Sequence, residues 1–363
     1  MRMRELRIRM LALWVCVLQG FPVLLVAQIN TLDFIYGGIE DAEKMLQEYI
    51  RPTANIIGAG LNAGWYNTAR PHKLGGLDVM ATVSWAKAPR SALSYDLSLL
   101  NLNASLEPSK PTSAPTAAGE QAERPELIYT QRIGSEDIEY ARFTHPDGSG
   151  YDFFPLPMGQ ITVGLPLGTD VSARFIPVIN VMDFGEVGLW GVGGKHSVSQ
   201  WIPILRDLDF LDISLQGGYT RVSSSVHLKI EPQEVDVVPL LDPDYKWEDQ
   251  FLVQKVAGWT VNLIASQTLL AFTFYEGIGY ASSLADVFLE GHYPVSSIIT
   301  AGPETGSSTY EIVQDPISLN FSNYNNLRVN AGLRVALGIF TLHYDLTHTV
   351  YFTHSVGVGF TFR

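Results

Sequence analysis

Apolar and polar side chains alternate along most of this chain with the two-residue period of a β-strand. Val79, Ala81, Val83 and Trp85 alternate with Asp78, Met80, Thr82 and Ser84, and the same pattern recurs in many later segments. Neighbouring side chains of a strand point to opposite faces of the sheet. These segments therefore predict strands with one apolar and one polar face.

Two folds produce this alternation. A soluble sandwich buries the apolar face in a core, whereas a membrane barrel turns it towards lipid and lines its lumen with the polar face. Membrane strands need about 9–11 residues and globular strands average about 5–6, and the segments here are nearer the longer value. We therefore expect an all-β protein with an antiparallel transmembrane β-barrel.

The spacing of the segments predicts 12 strands. They are residues 53–66, 75–87, 95–106, 158–167, 170–180, 185–197, 210–224, 251–266, 269–282, 325–336, 338–348 and 351–363. With both ends of the barrel in the periplasm, the long connections 107–157, 225–250 and 283–324 all fall outside, as outer-membrane barrels require. A hairpin at 127–145 would raise the count to 14, but it lacks an apolar face and is assigned to an outer loop. Residues 107–125 are low in complexity and are expected to be mobile.

The segment before these strands has a different period. Ala42, Met45, Leu46, Tyr49 and Ile50 recur at helical spacing, which predicts a short helix within residues 28–52 that ends at Pro52. An amphipathic stripe does not distinguish a periplasmic helix at the barrel mouth from a plug in the lumen. Both interpretations stay open.

The first 27 residues resemble an export signal. Arginines at positions 2, 4, 7 and 9 precede an apolar run that ends at Ala27, and this order is typical of a secretory signal peptide cleaved near Ala27. The single cysteine, Cys16, lies in this segment, so the mature chain has no disulfide. The expected organisation is a signal peptide at 1–27, a helical segment at 28–52 and a barrel at 53–363.

The last strand carries the most specific pattern. Ser355-x-Gly357-x-x-Phe360-x-Phe362 resembles the C-terminal signal through which outer-membrane barrels are recognised by the barrel-assembly machinery, although Arg363 follows the final aromatic residue. The expected location is therefore the outer membrane of a Gram-negative bacterium, with outer-membrane lipid and that machinery as partners.

Several polar residues are expected to face the lumen. They are Asp170, Arg174, Arg328, Asn330, Arg334, His343 and Asp345. Their charges either brace the interior as ion pairs or form a constriction that selects solutes. His343 and Asp345 could form a carboxylate-oriented imidazole, but no nucleophile is identifiable by spacing, so we expect no enzyme, no catalytic residue, no metal and no cofactor.

The charge of the chain bears on its partners. The formal net charge is −13, and removal of residues 1–27 brings it near −16. Such an acidic protein is a poor ligand for phosphate backbones, which argues against nucleic acid. A mean hydropathy of +0.11 is too low for a helical membrane bundle.

Four segments carry a family resemblance. Gly60 to Ala69, Pro71 to Asp78, Thr169 to Pro177 and Gly191 to Trp201 resemble an uncharacterised family of bacterial outer-membrane β-barrel proteins with a domain of unknown function. A more distant resemblance is to FadL-type long-chain fatty-acid transporters, which have 14 strands. These resemblances imply a fold and a location.

Two functions follow from these expectations. The first is a passive channel or uptake porin for small or hydrophobic solutes, with the helix as a possible gate. The alternative is a structural or surface-interaction barrel with a filled lumen; a membrane-embedded hydrolase ranks third. Conductance distinguishes the first two.

Overall fold

A computed structural model describes residues 33–120, 123–180, 185–206, 210–239 and 246–362. The expected signal peptide at 1–27 and its cleavage site near Ala27 lie outside these residues. The described chain forms two α-helices and seventeen strands. The helices are α1 (Ile39–Asn62) and α2 (Pro203–Arg206). The strands are β1 (Leu77–Lys87), β2 (Ser94–Asp96), β3 (Ser105–Leu106), β4 (Ser113–Pro115), β5 (Glu126–Ile133), β6 (Glu136–Thr144), β7 (Phe153–Leu165), β8 (Thr169–Asn180), β9 (Gly185–Ser197), β10 (Leu211–His227), β11 (Phe251–Leu269), β12 (Phe272–Glu290), β13 (His292–Ile298), β14 (Ser308–Gln314), β15 (Ile317–Leu337), β16 (Phe340–His348) and β17 (Phe352–Phe362).

Ten of these strands close into one antiparallel barrel. Their order around the wall is β1-β17-β16-β15-β12-β11-β10-β9-β8-β7. Closure comes from β1, which pairs on one side with β17 and on the other with β7. A closed sheet leaves no unpaired edge, which is what a strand needs to cross a bilayer. The expected all-β antiparallel barrel is confirmed, but the count of twelve strands is not.

The first missing strand is the segment 53–66, which we had assigned to the wall. Helix α1 continues through Pro52 to Asn62 instead. Beyond Pro52 this helix is buried on every side, so Ile56, Ile57, Ala59 and Leu61 are all inaccessible. A helix surrounded by other elements has no polar stripe. Its run of small and apolar residues therefore resembled the alternation of a strand.

The second missing strand is 95–106. This segment contains only β2, a turn of 3-10 helix at Leu97–Leu99, and β3. β2 pairs with β4 and β3 pairs with β5, outside the wall. The hairpin β5–β6 also stays outside the barrel, so the alternative of fourteen strands is not realised.

The outer surface of the barrel is apolar between two levels of aromatic residues. Near the tight turns, Phe340 and Phe360 project outwards with ring centroids 5.0 Å apart. Further along the strands, Trp259 and Tyr280 lie 5.8 Å apart, and Trp190 is also exposed. An apolar band between aromatic girdles is the surface that a bilayer covers. None of the described helices has the length and apolar character needed to cross a membrane.

Connections at the two ends of the barrel differ in length. Three tight turns join β7 to β8, β11 to β12 and β15 to β16, with Gly168 and Gly338 at positive φ where a side chain would be strained. The long connections, residues 88–152, 228–250 and 291–316, gather at the opposite end. Outer-membrane barrels place short turns in the periplasm and long loops outside. We call these the turn end and the loop end.

The long connections fold together into a cap over the loop end. Tyr36 donates a hydrogen bond to the carbonyl of Glu231 over 2.6 Å, and Gln233 donates one to the carbonyl of Arg142 over 3.0 Å. The segment 107–125, expected to be mobile, includes fully buried Ala114 between its polar residues. Within its described residues this stretch packs on the helix, where the N–H of Ala117 donates to the carbonyl of Tyr49 over 2.8 Å.

His145 lies at the centre of this cap. Its ring is fully buried against Phe34 and Tyr49, accepts a hydrogen bond from the hydroxyl of Tyr95 over 2.8 Å, and contacts the carbonyl of Pro146 at 2.8 Å. Burial lowers the pKa of His145 to about 4, against the opposing effect of the Pro146 carbonyl. The cap therefore holds a neutral imidazole at pH 7.

Candidate functional site

Residues 39–76 run through the lumen from the loop end to the turn end. Helix α1 begins in the cap, where Asp41 accepts a hydrogen bond from the backbone N–H of Asn103 over 2.7 Å. It ends beside the wall, where Asn62 donates to the hydroxyl of Tyr324 over 2.8 Å. The chain then continues without regular structure to the turn end, where the N–H of Gly75 donates to the carbonyl of Gly164 over 3.0 Å. We call residues 63–76 the luminal segment.

The half of the lumen near the loop end is apolar. Met45, Leu46 and Leu61 of α1 are at most 1% exposed and belong to one buried cluster with inward residues of the wall. Those wall residues include Phe154, Leu156, Ile176, Leu189, Leu252 and Val287. Inward residues are usually polar in a barrel with an aqueous lumen. The apolar lining here exists because a helix covers it.

Glycines of the wall provide room for the aromatic residues of the luminal segment. A Cβ built on Gly193 would lie 2.7 Å from the ring of Trp65, and one on Gly218 would overlap the same ring. A Cβ on Gly277 would overlap the hydroxyl of Tyr66. Protein interiors are close-packed, so such gaps are filled by the side chain that fits them. The wall and the luminal segment are thus complementary in shape.

Among the described residues, Arg174 is held by the luminal segment, α1 and β7, and no carboxylate forms an ion pair with it. Its guanidinium carbon lies 3.7 Å from the centroid of the Trp65 ring, its Nε donates to Gln160 over 2.7 Å, and its Nη1 donates to the carbonyl of Leu61 over 3.2 Å. The side chain is 2% exposed. A buried cation needs such compensation because desolvation costs several kcal/mol.

A second buried arginine binds the other aromatic residue of the segment. Arg328 donates to Asn262 over 2.6 Å and to the hydroxyl of Tyr66 over 3.0 Å. The Tyr66 hydroxyl in turn donates to Asn330 over 2.6 Å. Asp345 accepts from Thr347 over 3.2 Å on the same side of the lumen. Arg328 also donates to the hydroxyl of Thr347 over 3.3 Å, so these contacts join the luminal segment to β11, β15 and β16.

A histidine of the luminal segment anchors it near the turn end. Nδ1 of His72 lies 3.1 Å from Asp170, whose other carboxylate oxygen accepts the backbone N–H of His72 over 2.9 Å. Lys195 lies 3.0 Å from the same carboxylate, and Nε2 of His72 lies 3.2 Å from the hydroxyl of Thr361. The carboxylate of Asp78 also approaches Nε2, at 3.6 Å, so the ring lies between two carboxylates and the Thr361 hydroxyl.

All seven residues expected to face the lumen are inward and at most 5% exposed in the structure. They do not form one site. Asp170 binds His72 and Lys195, whereas Asp345 binds Thr347 and lies 3.4 Å from the hydroxyl of Tyr275. Both ring nitrogens of His343 lack a hydrogen-bond partner among the described residues, so the expected His343–Asp345 pair is not formed.

Sequence reasoning missed the residues that hold the lumen closed. Trp65 and Tyr66 were assigned to the faces of a wall strand, and His72 and Lys195 were singled out only within segments that carry a family resemblance. A signal was available, since glycines 193, 218 and 277 interrupt wall strands at inward positions. A glycine in a strand interior often marks the close approach of another group.

The C-terminal strand has the alternation expected of it. Ser355 and Gly357 face inwards, and Phe360 and Phe362 face outwards with about half of each side chain exposed. Their role in assembly stays a prediction.

The space left in the polar half of the lumen is small. A cavity of about 20 Å³ lies beside Trp65, His72 and Asp170, which is room for about one water molecule. No group of three metal-ligating side chains occurs among the described residues. The described lumen is therefore filled by the chain's own N-terminal region.

The fold and the filled lumen define a transmembrane β-barrel occupied by its own N-terminal segment. The chain belongs to a family of unknown function, DUF6588, whose profile matches residues 3–362. A search of curated proteins found no match. Neither comparison connects the chain to the FadL-type transporters.

Several solved barrels are similar in fold. The outer-membrane protease OmpT from Escherichia coli is 9% identical, with 79% of this chain and 97% of that chain covered and a TM-score of 0.32. The translocator domain of the autotransporter NalP from Neisseria meningitidis is 10% identical, with 80% and 90% covered and a TM-score of 0.27. The β domain of the Bordetella autotransporter BrkA is 8% identical, with 79% and 99% covered and a TM-score of 0.24.

One expectation is corrected by this comparison. The sequence analysis expected no enzyme, but a protease is among the barrels of similar fold. A barrel with inward polar residues is compatible with catalysis, so the fold gives no ground for excluding it. At this identity the likeness assigns no activity to the chain.

Proposed function

We propose that this protein is a structural or surface-interaction barrel of the Gram-negative outer membrane. In this proposal its own N-terminal region closes the lumen and the barrel holds the cap at the cell surface. The observation that carries the proposal is the passage of residues 39–76 through the lumen. Outer-membrane lipid surrounds the apolar band, and the assembly machinery recognises β17.

The energetics favour a permanently seated helix over a gate. Met45, Leu46, Ile56, Ile57 and Leu61 of α1 are all nearly inaccessible. Exposing five such side chains to water costs about 8–15 kcal/mol at about 1.5–3 kcal/mol each. This is as large as the whole unfolding free energy of a typical domain. Spontaneous exit of the helix would therefore be rare.

A gated channel or uptake porin for small or hydrophobic solutes is the second candidate. It is favoured by the polar half of the lumen, where Arg174, Arg328 and Arg334 are buried in the wall. In such a channel the luminal segment would move aside while the barrel stays intact, and the arginines would select the solute.

Conductance of the purified full chain in planar bilayers separates the two candidates. The closed barrel predicts no stable current steps above those of the empty bilayer. A variant lacking residues 33–76 serves as the positive control, because removing both α1 and the luminal segment should give steady conductance once folding is verified by heat-modifiable gel migration. Regular current steps from the full chain would contradict the proposal and favour the gated channel.

Surface presentation of the cap is tested by epitope tags. A tag at Gly134-Ser135, the turn of the β5–β6 hairpin, should bind antibody on intact cells. A matched tag at Leu167-Gly168, in the tight turn between β7 and β8, should bind only after permeabilisation. The reverse pattern of labelling would overturn the orientation.

A further inference from the structure

A basin opens at the turn-end mouth of the barrel, separate from the filled lumen. Its volume is about 510 Å³. Its polar lining comes from Arg70 of the luminal segment, Thr268, Arg334 and Thr361, and its apolar lining includes Ala336, Ile339 and Phe362. Two arginines from different elements thus line one basin.

Arg334 is the unusual member of this set. Its side chain is 5% exposed, and its Nε has no hydrogen-bond partner among the described residues. Within the part of the chain that the structure describes, no carboxylate comes within 4 Å of it to form an ion pair. Arginine keeps its charge in proteins, and an uncompensated buried charge is strongly destabilising. The buried carboxylate of Asp78 attracts the guanidinium from beyond this distance, but among the described residues no anion binds it directly.

Arg70 has a different role in the basin. Its Nε donates to Asp212 over 2.9 Å, which fixes the side chain at the mouth and offsets its charge. The net positive charge of the basin therefore comes from Arg334. Arg70 contributes hydrogen-bond donors in a set direction.

Two hydroxyls complete the polar lining, and the structure holds each in place. The Thr361 hydroxyl lies 3.2 Å from Nε2 of His72, and the carboxylate of Asp170 holds that ring in place through Nδ1. The Thr268 hydroxyl lies 3.1 Å from that of Thr273. The Thr268 hydroxyl can accept from Thr273 and turn its own proton towards a bound oxygen, and the Thr361 hydroxyl can exchange its contact with the ring for one to such an oxygen.

We propose that this basin binds a phosphate group, with Arg334 as the charge partner and with Arg70, Thr268 and Thr361 as further hydrogen-bonding partners. Four polar side chains converging from separate elements suit an anion with several oxygens, and arginine matches phosphate geometry. The apolar rim at Ile339 and Phe362 suits a phosphate attached to an apolar group. The same chemistry is offered by free phosphate and by the headgroup of an anionic phospholipid.

Binding to the full chain tests the site with two probes. Inorganic phosphate is titrated calorimetrically into the protein in a neutral detergent. Separately, the protein is placed in phosphatidylcholine nanodiscs containing phosphatidylglycerol, and the lipids that it retains are identified by native mass spectrometry. Saturable binding of phosphate identifies a free anion as the source, and selective retention of about one phosphatidylglycerol identifies a headgroup.

Variants assign the binding to the basin. Arg334→Gln should weaken binding by about tenfold or more, as expected for losing a charge-assisted contact. Arg70→Gln and Thr361→Val should weaken it by about three- to tenfold, and they test the site independently if Arg334→Gln fails to fold. Arg132→Gln, with the same charge change in the exposed β5–β6 hairpin, is the matched control and should bind like the full chain.

The proposal is overturned if neither probe binds saturably. It is also overturned if folded Arg334→Gln binds as tightly as Arg132→Gln. If Arg334→Gln does not fold, the same result for both Arg70→Gln and Thr361→Val overturns it. None of these results bears on the conductance test, so this site and the proposed function fail separately.

Discussion

Replacing Trp65 by alanine tests how tightly the luminal segment is seated. Trp65 is 4% exposed, its ring fills the space beside Gly193 and Gly218, and Arg174 stacks on its face at 3.7 Å. Its indole N–H has no hydrogen-bond partner among the described residues. The contribution of this side chain is therefore one of shape and of cation–π attraction.

The expected loss can be worked out from these contacts. Truncation of a buried tryptophan to alanine costs about 3–5 kcal/mol. A desolvated cation–π contact adds about 1–2 kcal/mol. The expected decrease in the free energy of unfolding is thus about 4–7 kcal/mol. The variant should also leak ions, because a cavity opens between the wall and the segment.

Urea unfolding in lipid vesicles measures the stability and planar bilayers measure the leak. Trp259→Ala is the matched control, since Trp259 is 40% exposed on the outer surface. It should lose about 1–2 kcal/mol, as partial burial implies, and should stay non-conducting. If Trp65→Ala were as stable and as tight as Trp259→Ala, the idea that the segment is held by packing would be wrong.

Three further predictions concern other parts of the molecule. The unfolded state binds a proton at His145 near pH 6.5, whereas the folded cap does so only near pH 4. The cap should therefore lose up to about 3 kcal/mol of stability as the pH falls through this window and keep full stability above it. Hydrogen exchange of residues 140–148 at pH 7 and pH 4.5 measures the loss, and His145→Gln should remove the dependence on pH. Glu276 faces outwards in the apolar band, so Glu276→Leu should raise the free energy of unfolding in vesicles by about 1–2 kcal/mol. The control Glu136→Leu, in the cap hairpin, should not raise it. An unchanged midpoint of unfolding for Glu276→Leu would place Glu276 outside the hydrocarbon. Gly277→Ala should displace Tyr66 from Arg328 and lower the free energy of unfolding by about 1–3 kcal/mol, measured by thermal unfolding. Gly194→Ala should be tolerated, because a Cβ there would have its nearest contact at 3.5 Å. Equal melting temperatures for the two variants would contradict this account of the wall.

Much of the wall could be predicted from the alternation alone. Segments 170–180, 185–197 and 338–348 match β8, β9 and β16 to within about two residues, because lipid on one side and a polar interior on the other impose a strict two-residue period. The same rule places Asp170, Arg174 and Arg328 inside the barrel. The burial of one face is a local property of each strand.

The pairing of these residues could not be predicted in this way. Asp170 binds His72, 98 positions away, and Arg328 binds Tyr66, 262 positions away. Spacing along one strand suggested His343 with Asp345, but these side chains bind different neighbours or none. Partners in the lumen come from whatever occupies it, and the occupant was assigned to the wall.

The sequence by itself determined that the chain forms a closed sheet with a lipid-facing surface, where most of the wall strands lie, and which of their side chains point inwards. Only the tertiary structure decided that residues 53–62 are helical, that the lumen is full and that residues 107–120 of the low-complexity stretch pack against the rest of the cap. The physical reason is the surroundings of each segment. A strand between lipid and lumen has different surroundings on its two faces, so its residues alternate between apolar and polar. A segment enclosed by the rest of the chain has similar surroundings on all sides, so its conformation depends on tertiary contacts that its sequence alone does not indicate.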